Sequence, residues 1–190
     1  MEPTILLIRH ANTTYDTKVD AVLNPPLKYE GIKRIERTID FLRKQEIPLD
    51  RIISSPLQRS LRVADMLSAG NLKVYPNNGL LPWNLGDLMG KETKDVQPVI
   101  DHLTEYPDIR APHGESRNSF LNRWLVTFQK MLDYATYNTE KVLVGVTHSR
   151  NIDSIQELIG GEVTEVTEGS ITRIWQEDGN WKHEIIWEGI

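Results

Sequence analysis

The chain has 190 residues, enough for one domain with a sizeable buried core. Its formal charge of -5, from 22 Lys+Arg against 27 Asp+Glu, argues against a nucleic-acid or anionic-membrane binder but leaves room for one local positive pocket. The absence of cysteine excludes disulfides, thiolate catalysis and zinc–thiolate sites. The opening MEPTILLIRH carries no basic leader, and its apolar run is too short for a signal peptide or a membrane span. No later stretch approaches a span either, so a cytoplasmic location is expected.

Thr4 to Ile8 is a short apolar run with β-branched residues that ends abruptly at Arg9-His10, the pattern of a buried strand. A polar loop follows, with a turn signal at Asn24-Pro25-Pro26. Ile32, Ile35, Ile39 and Leu42 recur at helical spacing, which predicts an amphipathic helix from about Glu30 to Lys44. Arg51 to Ser54 reads as a second strand. Ser55-Pro56 reads as a helix start, with serine at the cap and proline at the first helical position. Leu57, Leu61, Ala64 and Leu67 give that helix its apolar face, Gly70 stops it, and Val74 falls on a third short strand.

Residues 76–114 are rich in proline and glycine and weakly periodic. They read as a cap-like excursion with one short helix near Val96 to Leu103, of the kind that often covers an active site. Phe120, Trp124, Phe128 and Leu132 then mark a long helix from Ser116 to about Tyr134. Lys141 to Val146 is a strand ending at Thr147-His148. Ile152, Ile155, Leu158 and Ile159 define a last helix, stopped by Gly160-Gly161. Ser170 to Trp175 and Trp181 to Trp187 predict a C-terminal hairpin across Asp178-Gly179-Asn180. The order implies a single-domain α/β chain: a three-layer α/β/α sandwich with a mostly parallel sheet, a cap-like insertion and a C-terminal hairpin.

In such sheets ligands bind beyond the carboxyl ends of the strands. Those ends carry Arg9-His10, Arg59 and His148. Singly, each of these residues is more often structural. Together they place two imidazoles and two guanidiniums on one rim. Guanidiniums bind phosphate oxygens through paired donors, a neutral imidazole can attack phosphorus, and a protonated one can neutralise a phosphoryl oxygen. A metal bound by the two histidines ranks below this, because the arginines would repel the cation. No metal or other cofactor is therefore expected.

Six segments, in order, resemble the histidine phosphatase superfamily, also called phosphoglycerate mutase-like: LLIRHANT, PPLKYEGIKR, IISSPLQRSLRVAD, LGDLMG, HGES and VLVGVTHS. The resemblance covers most of the chain. It implies that His10 becomes phosphorylated and that Arg9, Arg59 and His148 hold the phosphoryl group. Arg62, one helical step from Arg59, is a further candidate for phosphate binding. Arg150, two residues after His148, has two open readings: it contacts substrate, or it caps a carbonyl.

Several residues depart from the family pattern. Ala11 replaces the signature glycine. Asn12 and Asp16 stand where many members carry glutamate and asparagine, and both are expected to bear on substrate selectivity. Many family phosphatases supply a glutamate just before the LGDxxG loop as general acid, worth typically about 10²–10⁴-fold. Here that place is Pro82. Asp87 and Glu115 are the candidate replacements. A third possibility is a protein that turns over only esters with good leaving groups, or hardly at all. The expected function is hydrolysis of a small phosphomonoester through a phosphohistidine. The alternatives are a non-catalytic phosphate-binding member and a phosphoglycerate-type mutase.

Overall fold

The computed structural model describes residues 3–13, 18–19, 24–138, 142–160 and 162–190. They form six strands and five α-helices: β1 (Thr4–Arg9), α1 (Tyr29–Lys44), β2 (Leu49–Ser54), α2 (Gln58–Ser68), β3 (Val74–Pro76), α3 (Thr93–Glu105), α4 (Arg117–Tyr137), β4 (Val142–Thr147), α5 (Ser149–Ile159), β5 (Ile171–Glu177) and β6 (Asn180–Trp187). One sheet runs β3-β2-β4-β1-β5-β6. The first four strands in that order are mutually parallel, and β5 and β6 add an antiparallel hairpin at the β1 edge. No helix of the described residues is long and apolar enough to cross a membrane.

The alternation along β1 shows why the chain is three layers deep. Ile5 and Leu7 face one core with Trp124, Phe128 and Met131 of α4 and Ile152 and Ile155 of α5. Leu6 and Ile8 face the other with Ile35 and Leu42 of α1 and Val63 and Leu67 of α2. A strand with helices on both faces has no solvent side, which is why TILLI is apolar at every step after Thr4. β4 sits centrally and is buried along its whole length. Gly145 there permits close layering: a Cβ would meet Met131 Cε at 2.7 Å and Leu7 Cδ2 at 2.8 Å.

Two local expectations are corrected. Ser55 does not cap α2. The helix starts at Gln58 with Leu57 in the cap position and no side-chain cap bond; the Ser55 hydroxyl accepts from the Leu57 amide at 3.5 Å, ahead of the helix, and lies 2.9 Å from His148 Nε2. The 76–114 excursion is also more regular than its composition suggests. Its helix is 13 residues long, with Pro98 inside it, and two single-turn 3₁₀ helices, Asn78–Leu80 and Gly86–Leu88, precede it. A proline forfeits one helical hydrogen bond, but Val96, Ile100 and Leu103 all bury on one face, and that burial prevails.

Candidate active site

Register brings the site together. Arg9 pairs with Thr147 and Ser54 with Val146, so β1, β2 and β4 end at one level. The His10 amide extends the ladder by donating to the Thr147 carbonyl at 3.2 Å, and the Ser55 amide does so to the Val146 carbonyl at 2.9 Å. His10 and His148 therefore face each other with ring centroids 5.0 Å apart at 66°. Arg59, in the first turn of α2, is 1% exposed and lies against them.

The partners of His10 fix its tautomer. Nδ1 lies 2.9 Å from the Ala11 carbonyl, which can only accept, so Nδ1 carries the proton. Arg59 Nε can only donate, and it donates to His10 Nε2 at 3.2 Å. Nε2 is thus the basic nitrogen. Burial, and then the Arg59 charge, push the His10 pKa down to about 3, with Arg9 adding to the effect and the Ala11 bond opposing it. His148 is also held well below the ordinary histidine value, by burial first and then by His10 and Arg59. Both rings are therefore neutral in the free protein, whereas the sequence reading allowed for a protonated second imidazole. The His148 Nε2 contact with Ser55 leaves Nδ1 buried and without a hydrogen-bond partner.

Arg9 is tied from the C-terminal side. Its Nη1 donates to the Val166 carbonyl at 2.6 Å, and Glu168 Oε1 lies 4.0 Å from its Nη2. The Gly169 amide donates to the Arg9 carbonyl at 3.1 Å, which carries Glu168 to the rim.

These residues line a cavity of about 320 Å³. His10, Arg9, Arg59 and His148 stand in its wall together with Thr13, Lys18 and Val19 of the loop after β1. Ser149 and Arg150 open α5, and Pro82, Trp83, Leu85, Thr93 and Ile100 come from the excursion. Four cationic side chains and one carboxylate, Glu168, line the described wall of a chain whose net charge is -5. The α5 N-terminus adds its own positive end.

The other sequence candidates lie elsewhere. Asp87 does not line the cavity; its Oδ1 is 2.9 Å from His113 Nδ1 in an exposed pair. Glu115 is occupied as well. Its Oε1 accepts from Arg123 Nη2 at 2.7 Å and from the Asn84 amide at 2.9 Å, and its Oε2 accepts from Arg123 Nε at 3.1 Å. Arg62 pairs with Asp65 at 3.1 Å on the exposed side of α2, because one helical step from Arg59 turns it away from the sheet end. Asn12 is not on the cavity wall; its carbonyl accepts from the Lys28 amide at 3.0 Å and so ties the loop to the start of α1. Asp16 lies outside the described residues.

Sequence reasoning missed Ser55, Glu168 and Arg123. Arg123 clamps the near wall of the cavity: Nη1 donates to the Leu81 carbonyl at 2.9 Å, and Nη2 to the Pro82 carbonyl at 2.7 Å. Thr147 and Asn151 donate to the Leu80 and Leu81 carbonyls from below. No single-residue signal marks such a clamp, since its acceptors are backbone atoms.

A family model, "Histidine phosphatase superfamily (branch 1)", matches residues 5–185. The chain belongs to that superfamily. Among solved structures, a phosphoglycerate mutase from Bacillus anthracis is 18% identical with a TM-score of 0.86, covering 98% of this chain and 93% of that one. The mycobacterial glucosyl-3-phosphoglycerate phosphatase, in a complex with VO3, is 20% identical with a TM-score of 0.79, covering 97% and 98%. The alpha-ribazole phosphatase from Shigella flexneri is 19% identical with a TM-score of 0.75, covering 98% and 96%. At these identities the likeness is one of fold. None of the functionally curated proteins matches the chain in sequence.

Proposed function

We propose that this histidine phosphatase superfamily member hydrolyses small phosphomonoesters through a phosphohistidine at His10. The observation that carries the reading is the locked tautomer: a neutral ring whose Nε2 lone pair sits beside the Arg59 guanidinium in a cationic cavity. Nε2 attacks phosphorus, the ester P–O bond breaks, and the leaving oxygen takes up a proton. Water then attacks the phosphoryl group, the P–N bond breaks, and inorganic phosphate leaves with His10 neutral again. Arg9, Arg59 and His148 stabilise the charge that moves through the equatorial oxygens.

Neither Asp87 nor Glu115 stands where it could protonate the leaving oxygen, and Pro82 has no proton to give. Esters of acidic alcohols, whose oxygens leave readily as anions, are therefore the favoured substrates. The enzyme should turn over aryl phosphates and form an acid-labile, alkali-stable phosphoenzyme that His10→Ala abolishes. Turnover by His10→Ala at the wild-type rate would remove the histidine from the reaction.

Pro82 at the cavity wall favours a second reading, a phosphate-binding protein without significant turnover. Phosphate binding with no hydrolysis across a panel of aryl and alkyl monoesters would establish that reading instead. Isomerisation of a phosphoglycerate faster than its hydrolysis would establish a mutase.

A further inference from the structure

Arg150 is costly where it stands. It is the second residue of α5, where the helix end is already positive and a cation is disfavoured. It is largely withdrawn from water, and burial pushes its pKa below the ordinary arginine value. Yet no carboxylate or carbonyl pairs with it among the described residues. Asp153, on the next turn of the same helix, and Asp101 of α3 act on it electrostatically without coming within ion-pair distance, and Arg117 opposes them. Its guanidinium lies over the face of Trp83, with the ring centroid 5.6 Å from the guanidinium carbon.

A cation with a desolvation cost, an opposing dipole and no carboxylate in contact does little for the fold. It lines the same cavity as His10, on the wall where Trp83 stands. Trp83 is itself fixed, 2% exposed, with Nε1 donating to the Glu115 carbonyl at 3.0 Å and its ring stacked on Phe120. The guanidinium therefore rests on a rigid platform, and Leu85 and Ile100 give the cavity an apolar lining. Arg9, Arg59 and the two histidines already account for one phosphoryl group, which leaves Lys18 and Arg150; Lys18 has the Glu92 carboxylate 4.0 Å away, so of these two Arg150 is the cavity cation with no carboxylate within ion-pair distance among the described residues.

We propose that Arg150 binds a second anionic group, a carboxylate or a second phosphate, carried by the leaving-group side of the substrate. The proposal rests on the reading that the phosphoryl group sits at His10, and it narrows the substrate class to phosphomonoesters whose alcohol portion is itself anionic.

The test measures binding to the intact protein by calorimetry, using benzylphosphonate, 4-carboxybenzylphosphonate and 4-phosphonobenzylphosphonate. None of these can be hydrolysed. The wild type should bind the doubly anionic probes about tenfold or more tightly than the neutral-tailed one, as expected for a charge-assisted pair. Arg150→Gln should collapse that ratio, and Arg150→Lys should restore part of it. The carboxylate and phosphonate arms show which second anion is preferred. Thermal unfolding of Arg150→Gln should be no lower than wild type, because a merely structural arginine would lower it. Equal affinity for all three probes, or a ratio unchanged in Arg150→Gln, would overturn the proposal. Turnover of the matching aryl phosphates reports separately. A binding preference without turnover would support the subsite and remove the phosphatase reading. Turnover without a preference would do the reverse, and failure to bind any of the probes would end both.

Discussion

The two ends of the cavity are built by different means. At the His10 end, His10 and His148 directly follow β1 and β4, where sheet register fixes their positions, and Arg59 stands in the first turn of α2, just after β2. At the other end, the wall from Asn78 to Asn84 has no strand to hold it. It hangs by its carbonyls from Arg123, Thr147 and Asn151. A site held by register is rigid, because each strand end is set by the ladder beside it. A wall held by side-chain donors depends on residues some 40 to 70 positions away along the chain. The first arrangement suits reaction chemistry that tolerates little displacement, and the second can diverge to suit the substrate.

Removing a cation at the His10 end should have the largest effect. Arg59→Gln keeps the size of the side chain but loses the charge and the fork of donors. We expect kcat/KM for an aryl phosphate to fall by about 10²–10³-fold, with the unfolding midpoint little changed. A loss below tenfold would mean that Arg59 sets the state of His10 without meeting the phosphoryl group.

The next effect falls on the other end. Arg123→Met strips the donors from the Leu81 and Pro82 carbonyls and leaves Glu115 without its cation, both side chains being less than a third exposed. We expect a loss of about 3 kcal/mol in unfolding free energy, and a protease cut within residues 76–92 should appear before global unfolding. Glu115→Gln keeps the Asn84 amide acceptor and should cost less. If both variants unfold like wild type, the clamp does not hold the wall.

Acid should separate the ends by a different route. In the unfolded chain a histidine titrates near 6.5, whereas folded His10 stays neutral down to about 3 and His148 is lowered as well. The unfolded chain therefore binds more protons as pH falls through 6.5, and stability drains away between there and about 3. Each ring contributes a slope of up to about 1.4 kcal/mol per pH unit. Denaturant unfolding at pH 7, 6 and 5 should show the decline, and His10→Gln should flatten it by one ring's share. An unchanged slope in that variant would mean that His10 is not held neutral.

The same division governs what the sequence disclosed. The layers, the sheet and four of the cavity's residues were legible, because strand periodicity locates strand ends and chemistry-bearing residues stood there. Ser55 was misread because a serine before a proline suits a helix start, and only the fold shows that its hydroxyl faces His148. Glu168 was invisible because a backbone bond between Gly169 and Arg9, 160 positions apart, brings it to the rim. The length of α3 was hidden by Pro98, whose local cost is outweighed by the burial of Val96, Ile100 and Leu103.

The smallest effect is expected at Asp87, a residue its motif made suspect. LGDLMG and HGES are neighbours in space, and their glycines explain why. A Cβ on Gly86, at φ +53°, would lie 2.0 Å from the Pro112 carbonyl oxygen, and one on Gly114 would lie 2.7 Å from that of Asn84. The two turns thus lock backbone to backbone, with the Asp87 amide donating to Pro112 at 3.0 Å, and the Asp87 carboxylate is left on the outside against His113. An exposed pair of this kind is worth about 1 kcal/mol or less. Asp87→Asn should therefore change kcat/KM for an aryl phosphate by less than about threefold, since general-acid loss costs about 10²-fold or more. Alkyl phosphates, whose leaving oxygens need the proton most, are the stringent substrates for the comparison. A loss of 10²-fold confined to the alkyl esters would show that the excursion swings Asp87 over the substrate, and that the wall is a moving part.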